Sequence, residues 1–182
     1  MTFEKTVTLK DGRNCLLRNG VTSDGKAVLD VFNRTHEETD YLLTYSDENR
    51  FTASQEADFL QRKTDSTNTV EIIAVVDDVV AGTAGIDALG MRDKIKHRAV
   101  FGIAITKEFW GLGIGKYLME ACIECAREAG YLQLELEVVA ENERAVEMYR
   151  RAGFIEYGRN PKAFRLRTGE YQELIDMRLE LK

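Results

Sequence analysis

Proline is nearly absent: Pro161 is the only one in 182 residues. Together with aromatics spread along the chain, this argues against a disordered or low-complexity protein. No apolar run approaches the roughly 20 residues of a membrane span, so no membrane partner is expected. The start, Met1-Thr2-Phe3-Glu4-Lys5, lacks the basic and then apolar regions of a secretory leader, and a cytoplasmic location is expected. Without a leader the glycosylation sequon at Asn33-Arg34-Thr35 has no meaning. Histidine is scarce, with only His36 and His97. Cysteine is limited to Cys15, Cys122 and Cys125, an odd number with no sign of an oxidising compartment. Cys122-x-x-Cys125 has the spacing of half a zinc site, but the other half is missing and no metal is expected. Leu118, Cys122, Cys125 and Ala129 instead share one helix face, which makes the thiols core packing. Basic residues are outnumbered, and the net charge of −6 argues against general nucleic-acid binding. The same charge is compatible with a cationic substrate such as an amine.

What is present suits one soluble domain over residues 1–182: 44% hydrophobic and 31% charged residues, with no linker or repeat. Thr6-Val7-Thr8-Leu9 and Asn14-Cys15-Leu16-Leu17-Arg18 flank a turn and predict a β-hairpin. A helix is expected from about Ser23 to His36, with Ala27, Val28, Val31 and Phe32 on one face. Residues 37–51 have no clear period. Thr52-x-x-Gln55 resembles a capping box opening a second helix, whose apolar face is Ala53, Ala57 and Leu60. Glu71–Val76 and Val79–Ile86 are β-branched runs joined by Asp77-Asp78, an antiparallel hairpin. Val100–Ile105 is a continuous apolar run, the pattern of a strand covered on both faces. Gly113–Ala129 is an amphipathic helix with Lys116, Glu120, Glu124 and Glu128 outward. Leu132–Val139 predicts a strand, Asn142–Ala152 a helix ended by Gly153, and Tyr171–Leu181 a final strand.

The sharpest local signal is Trp110-Gly111-Leu112-Gly113-Ile114-Gly115-Lys116, between a buried strand and a helix. Glycines at alternate positions let the backbone approach a ligand with no Cβ in the way. The helix that follows offers unpaired N–H groups and the positive end of its dipole, a phosphate site by construction. The spacing is Gly-x-Gly-x-Gly, which is not the dinucleotide fingerprint, and Tyr117 stands where a P-loop needs Ser or Thr.

With the preceding Gly102-Ile103-Ala104-Ile105-Thr106, the turn resembles motif A of the GNAT (Gcn5-related N-acetyltransferase) superfamily, [Gln/Arg]-x-x-Gly-x-[Gly/Ala]. Trp110 departs from the usual Gln or Arg; packing against its neighbours is the favoured reading for it. Downstream, Asn142-Glu143-Arg144-Ala145-Val146-Glu147-Met148-Tyr149-Arg150-Arg151-Ala152-Gly153-Phe154 resembles motif B, Asn-x-x-Ala-x-x-x-Tyr-x-x-x-Gly-Phe. The likeness is firm from about residue 70 to 155. It implies a mixed α/β (α+β) fold: a mostly antiparallel sheet flanked by helices, with a splayed pair of central parallel strands. It also implies acetyl-CoA as co-substrate. Pyrophosphate would be held at Trp110, Gly111, Leu112, Gly113, Ile114, Gly115 and Lys116, and pantetheine along Ile103, Ala104 and Ile105. Asn142 and Tyr149 would also meet the cofactor. Asn142 can equally be a plain helix cap. Tyr149 lies two turns on, about 10 Å along the same face, and reads either as core or as the acid that protonates the departing thiolate.

The implied reaction is attack of a neutral amine on the acetyl carbonyl with both substrates bound, and a backbone N–H near Ile103–Ile105 stabilising the oxyanion. The amine must first lose a proton, since an alkylammonium has a pKa of about 10. The strand before the turn carries no carboxylate; His97, Glu135 and Glu137 are candidates for the base, a water chain is another, and none is assigned. The acceptor is a small-molecule or peptide amine, and residues 37–51 should shape its pocket, with Glu37, Glu38, Asp40, Asp47 and Glu48 suited to a cation. Homodimers are common in the family. Two other readings remain: a noncatalytic acyl-CoA-binding module on the same fold, and, far less favoured, a dinucleotide-binding oxidoreductase.

Overall fold

A computed structural model describes residues Met1 to Leu181. One eight-stranded sheet has the order β1-β2-β3-β4-β5-β6-β8-β7. Its strands are β1 (Glu4–Thr8), β2 (Asn14–Asn19), β3 (Val70–Val76), β4 (Val79–Ala88), β5 (Arg98–Ile105), β6 (Gln133–Val139), β7 (Ile155–Arg165) and β8 (Tyr171–Glu180). Four α-helices flank it: α1 (Gly25–Glu38), α2 (Ala53–Asp65), α3 (Ile114–Glu128) and α4 (Glu143–Arg151). Every strand pair is antiparallel except β5 with β6, which is the mixed, mostly antiparallel sheet that the sequence implied.

The main core lies between the sheet and α3, where Leu118, Cys122, Cys125 and Ala126 meet Ile72, Ala84, Ile86 and Phe101. The cysteines of that face are buried, as the helical spacing implied. On the opposite face α1 and α2 cover β3 and β4 through a smaller cluster of Val28, Leu60 and Ile73. Thr52 does cap α2: its hydroxyl accepts from the Gln55 N–H at 3.3 Å, and the Gln55 side chain accepts from the Thr52 N–H.

Three details depart from the sequence reading. On α2, Leu60 is buried and Ala53 and Ala57 lie half-buried against Gly25 of α1, but two charged residues, Glu56 and Lys63, are buried as well, which the sequence did not signal. β7 fell in no expected element. β5 is not covered on both faces: Phe101 is buried, but Val100 and Gly102 on the α1/α2 side are exposed. Among the described residues no helix is long and apolar enough to cross a membrane.

Candidate functional site

The site begins where two parallel strands part. β5 and β6 pair only at Arg98↔Gln133, Ala99↔Leu134 and Val100↔Glu135. Beyond that point β5 stays bound to β4 as far as Ile105, while β6 stays bound to β8 as far as Val139. The strands therefore open a V-shaped slot between Phe101–Ile105 and Leu136–Val139. The backbone groups of both edges that face the slot have no strand partner, and such groups seek hydrogen bonds.

Aromatic rings close the α3/α4 side of this slot. Tyr149 projects from α4 and meets Phe101 edge-on at 6.1 Å between ring centres and Phe154 at 5.8 Å. It is 6% exposed, and burial pushes its phenol well above the ordinary value of 10. The ring is thus a core residue, and its hydroxyl stays protonated at any physiological pH.

The Gly-rich turn follows β5 after Thr106 and one short helical turn, Lys107–Phe109. Gly111 and Gly113 have φ of 88° and 97°, which only glycine adopts without strain, so the alternating glycines are a backbone requirement. Gly113 caps α3 with no side-chain bond. Among the described residues no backbone carbonyl of the turn accepts from the N–H groups of Ile114 and Gly115, the first of the helix. Gly115 differs: a Cβ there would sit 3.1 Å from Met148 Sδ, so this glycine lets α3 approach α4. Trp110 is 38% exposed; its indole N–H donates to the Ile105 carbonyl at 2.7 Å, and Arg144 lies 5.9 Å from its ring centre. Lys116 is on the exposed first turn, 3.7 Å from Glu120.

Two cations beside this turn were not singled out from the sequence. An ideal Cβ on Gly111 would lie 3.9 Å from Arg144 Nη2, and one on Gly113 would lie 3.9 Å from Lys10 Cγ. The Lys10 N–H also donates to the Leu112 carbonyl at 3.2 Å. Arg144 arrives from α4 and Lys10 from the first hairpin, so no local spacing could have signalled them. Asn142 caps α4, with Oδ1 accepting from the Ala145 N–H at 3.3 Å, which leaves its amide NH₂ free of a protein partner among the described residues.

The candidate bases fare differently. Glu135, at the apex of the V, is held by the Arg98 guanidinium and accepts from Gln133 Nε2 at 3.0 Å. Its charge in turn raises the Arg98 pKa. His97 lies at the closed end of the V, where its carbonyl accepts from Leu132 at 2.9 Å. Glu137 is exposed on the far edge of the slot and has no ion-pair partner among the described residues. In the 37–51 segment, Asp47 is bound by Arg167 at 2.6 Å and Glu38 by Arg34 at 2.9 Å. Glu48 accepts from the Tyr45 N–H at 2.8 Å. Three of the five acidic groups expected to meet a cation are thus already engaged within the protein. The segment does border a cleft of about 160 Å³, shared with Ala163–Leu166 of the β7–β8 hairpin.

Known proteins are similar to this chain. The L-amino acid N-acetyltransferase AaaT of Escherichia coli is 31% identical over 118 residues, which are 64% of this chain and 72% of that protein. The crystal structure of a GNAT-family acetyltransferase from Streptococcus pneumoniae superposes with a TM-score of 0.87 at 27% identity, covering 91% of this chain and 99% of that one. A phosphinothricin acetyltransferase from Sinorhizobium meliloti, solved in complex with acetyl-CoA, has the same fold, with a TM-score of 0.81 at 18% identity over 96% of this chain and 89% of that one. Acetyl-CoA is the co-substrate of the family. Residues 28–154, which hold the slot, the glycine turn and Tyr149, match the profile of the Acetyltransferase (GNAT) family, and the chain belongs to that family.

Proposed function

We propose that the chain is an acetyl-CoA-dependent N-acetyltransferase that moves an acetyl group to a primary amine of a small molecule or peptide, by direct attack in a ternary complex. The observation that carries this is one strand leading from the slot to the phosphate-compatible turn: β5 ends at Ile105 and Gly111–Gly115 opens α3. A ligand with a phosphate at one end and an acyl arm at the other fits that path.

In this reading the pyrophosphate sits at the Trp110–Lys116 segment and is received by the N–H groups of Gly111, Gly113, Ile114 and Gly115, with the positive end of α3 behind them; the N–H groups of Trp110 and Lys116 are already bonded to the Lys107 and Gly113 carbonyls. Arg144 and Lys10 add charge from two other elements, and charge-assisted bonds to phosphate are the stronger kind. The pantetheine arm runs along Ile103, Ala104 and Ile105, completing the half-satisfied edge of β5. The Ile105 carbonyl is already bonded to Trp110, so the arm uses the other groups of that edge. Asn142 offers its free NH₂ to the cofactor while Oδ1 keeps the helix cap.

A slot-facing N–H near Ile103 stabilises the oxyanion, worth on the order of 3 kcal/mol in such sites. Tyr149 supplies the proton to the departing sulfur. A free thiol titrates at about 8.5 and a free phenol at about 10. Burial raises a thiolate's basicity in the same pocket that raises the phenol, so the transfer stays feasible. An amino-acid-like acceptor is the first to try, because the relative from E. coli is named an L-amino acid N-acetyltransferase.

Calorimetric titration tests the cofactor half of the proposal. Acetyl-CoA should bind and NAD should not. Acetyl-CoA should also raise the thermal midpoint, since a ligand at 100 times its Kd stabilises by about 2.7 kcal/mol. No heat and no shift at millimolar acetyl-CoA would remove the assignment.

A further inference from the structure

One half-buried carboxylate, two strands from the slot, stands outside the machinery described so far. Glu71 of β3 points to the α1/α2 side of the sheet. In register it stands opposite Gly85 of β4, which stands opposite Gly102 of β5. Residues paired in this way share a face, so the row reads Glu71, Gly85, Gly102, slot.

Neither glycine places a side chain in the way. A Cβ on Gly85 would lie 2.1 Å from Glu71 Oε2, so the carboxylate lies over the Gly85 backbone. A Cβ on Gly102 would meet nothing within 4 Å, so the space over β5 at the slot is open. One strand spacing, about 4.8 Å, separates Gly85 from Gly102. A nitrogen over Gly102 is therefore within reach of both Glu71 and the slot, directly or through one water. Phe101, Tyr149 and Phe154 stand on the other side of the slot, which the acetyl-transfer reading gives to the cofactor, so the acceptor is placed on this side. The Glu71 side chain keeps 15% exposure, enough for contact with what enters.

We propose that Glu71 is the proton acceptor of the transfer, taking a proton from an ammonium substrate seated over Gly102. This rests on the acetyl-transfer reading above. The N–H bond of the ammonium breaks and its proton goes to a Glu71 oxygen. The freed lone pair forms the N–C bond at the acetyl carbonyl. The C–S bond then breaks with its electron pair on sulfur, which takes a proton from Tyr149. Tyr149 is reprotonated from the acetylated nitrogen, which becomes the neutral amide, and Glu71 returns its own proton to water.

The surroundings suit the task. Burial pushes the Glu71 carboxyl up to about 7, near the best value for a base at neutral pH. The charged groups acting on it are Lys63 and Glu56 from α2 and Asp87 from β4; the Lys63 ammonium and the Thr83 hydroxyl favour its ionised form, while Asp87 and Glu56 oppose it. From beneath, burial raises the Cys122 thiol of α3, and the Glu71 charge adds to that shift. Lys63 is nonetheless committed elsewhere: it binds Asp87 at 2.6 Å and the Ile86 carbonyl at 3.2 Å, and stands 3.7 Å from Glu71. Glu71 is thereby supported by a cation without being neutralised in a close pair. This also accounts for the buried charges on α2.

The test is the pH–rate profile of kcat/KM for wild type, Glu71→Gln and Glu137→Gln. Wild type should lose activity tenfold per unit below a pKa near the Glu71 value. Glu71→Gln should lose that limb and fall 10²-fold or more, with acetyl-CoA affinity unchanged. Folding has its own readout. The native protein holds the Glu71 proton more tightly than the unfolded chain, so this group's contribution to stability is present below pH 4.5 and lost by about pH 7. Glu71→Gln cannot ionise, so its thermal midpoint should equal or exceed that of wild type at pH 8. A folded Glu71→Gln protein with the wild-type profile overturns the proposal, as does loss of the limb in Glu137→Gln alone. Absence of turnover in wild type with every amine overturns the acetyl-transfer reading and this one with it, which separates the two failures.

Discussion

A single hydroxyl separates the two roles open to Tyr149. Its ring packs on Phe101 and Phe154 whatever the chemistry, so Tyr149→Phe should leave α4 in place. If the phenol protonates the departing thiolate, single-turnover acetylation should fall roughly 10²-fold or more while acetyl-CoA affinity changes little. Measuring a single turnover avoids a rate limited by product release. An unchanged rate would return Tyr149 to the core alone. At this scale the sequence was informative where a residue's neighbours are local. Asn142, Tyr149 and the glycines each sit at a fixed spacing on one turn or helix, and spacing is visible in a chain. Arg144, Lys10 and Glu71 reach the site through tertiary packing. Glu71 in particular heads a β-branched run and is unremarkable until Gly85 and Gly102 stand beside it.

At the scale of elements, the turn between β5 and α3 is the part whose backbone is proposed to do the binding. Gly113 has φ 97°, and a Cβ there would meet only Tyr117 at 3.8 Å and the Lys10 side chain at 3.9 Å. Gly113→Val therefore costs backbone strain, about 1–2 kcal/mol, more than steric clash. The protein should still fold with a lowered thermal midpoint. Acetyl-CoA affinity, read by calorimetry, should fall at least 10-fold, because strain relief turns the amides away. A folded variant with wild-type affinity would show that phosphate binds elsewhere. Periodicity made α1, α3, the β3–β4 hairpin and the β5–turn–α3 unit legible. It did not expose β7, and the reason is physical. Ile155–Arg165 is an edge strand with Gly158 and Pro161 inside it and register shifts at Glu156/Gly158 and Asn160/Phe164. Such a strand buries little, so selection for alternation is weak, and proline is tolerated only there. The apolar run of β5 misled in the opposite direction. Ile103 packs toward the core, but Val100 and Gly102 face open space, and their small or apolar character suits a slot as well as an interior.

The whole molecule is a sheet opened along one seam. β6 is joined to β5 for three residues and to β8 for seven, so the sheet is continuous while its centre is split. In the proposed reading cofactor and acceptor meet in the seam from opposite faces, one past Tyr149 and one over Gly102. Acetyl transfer from acetyl-CoA to an amine is the central claim. Its most direct measurement is release of free CoA thiol by the purified protein, with acetyl-CoA and a panel of L-amino acids, polyamines and peptides. The account predicts thiol release that depends on an amine, with the acetyl group recovered as its amide. Acetyl-CoA bound tightly, with no amine in the panel raising thiol release above the uncatalysed rate, would contradict it and leave a noncatalytic acyl-CoA-binding module.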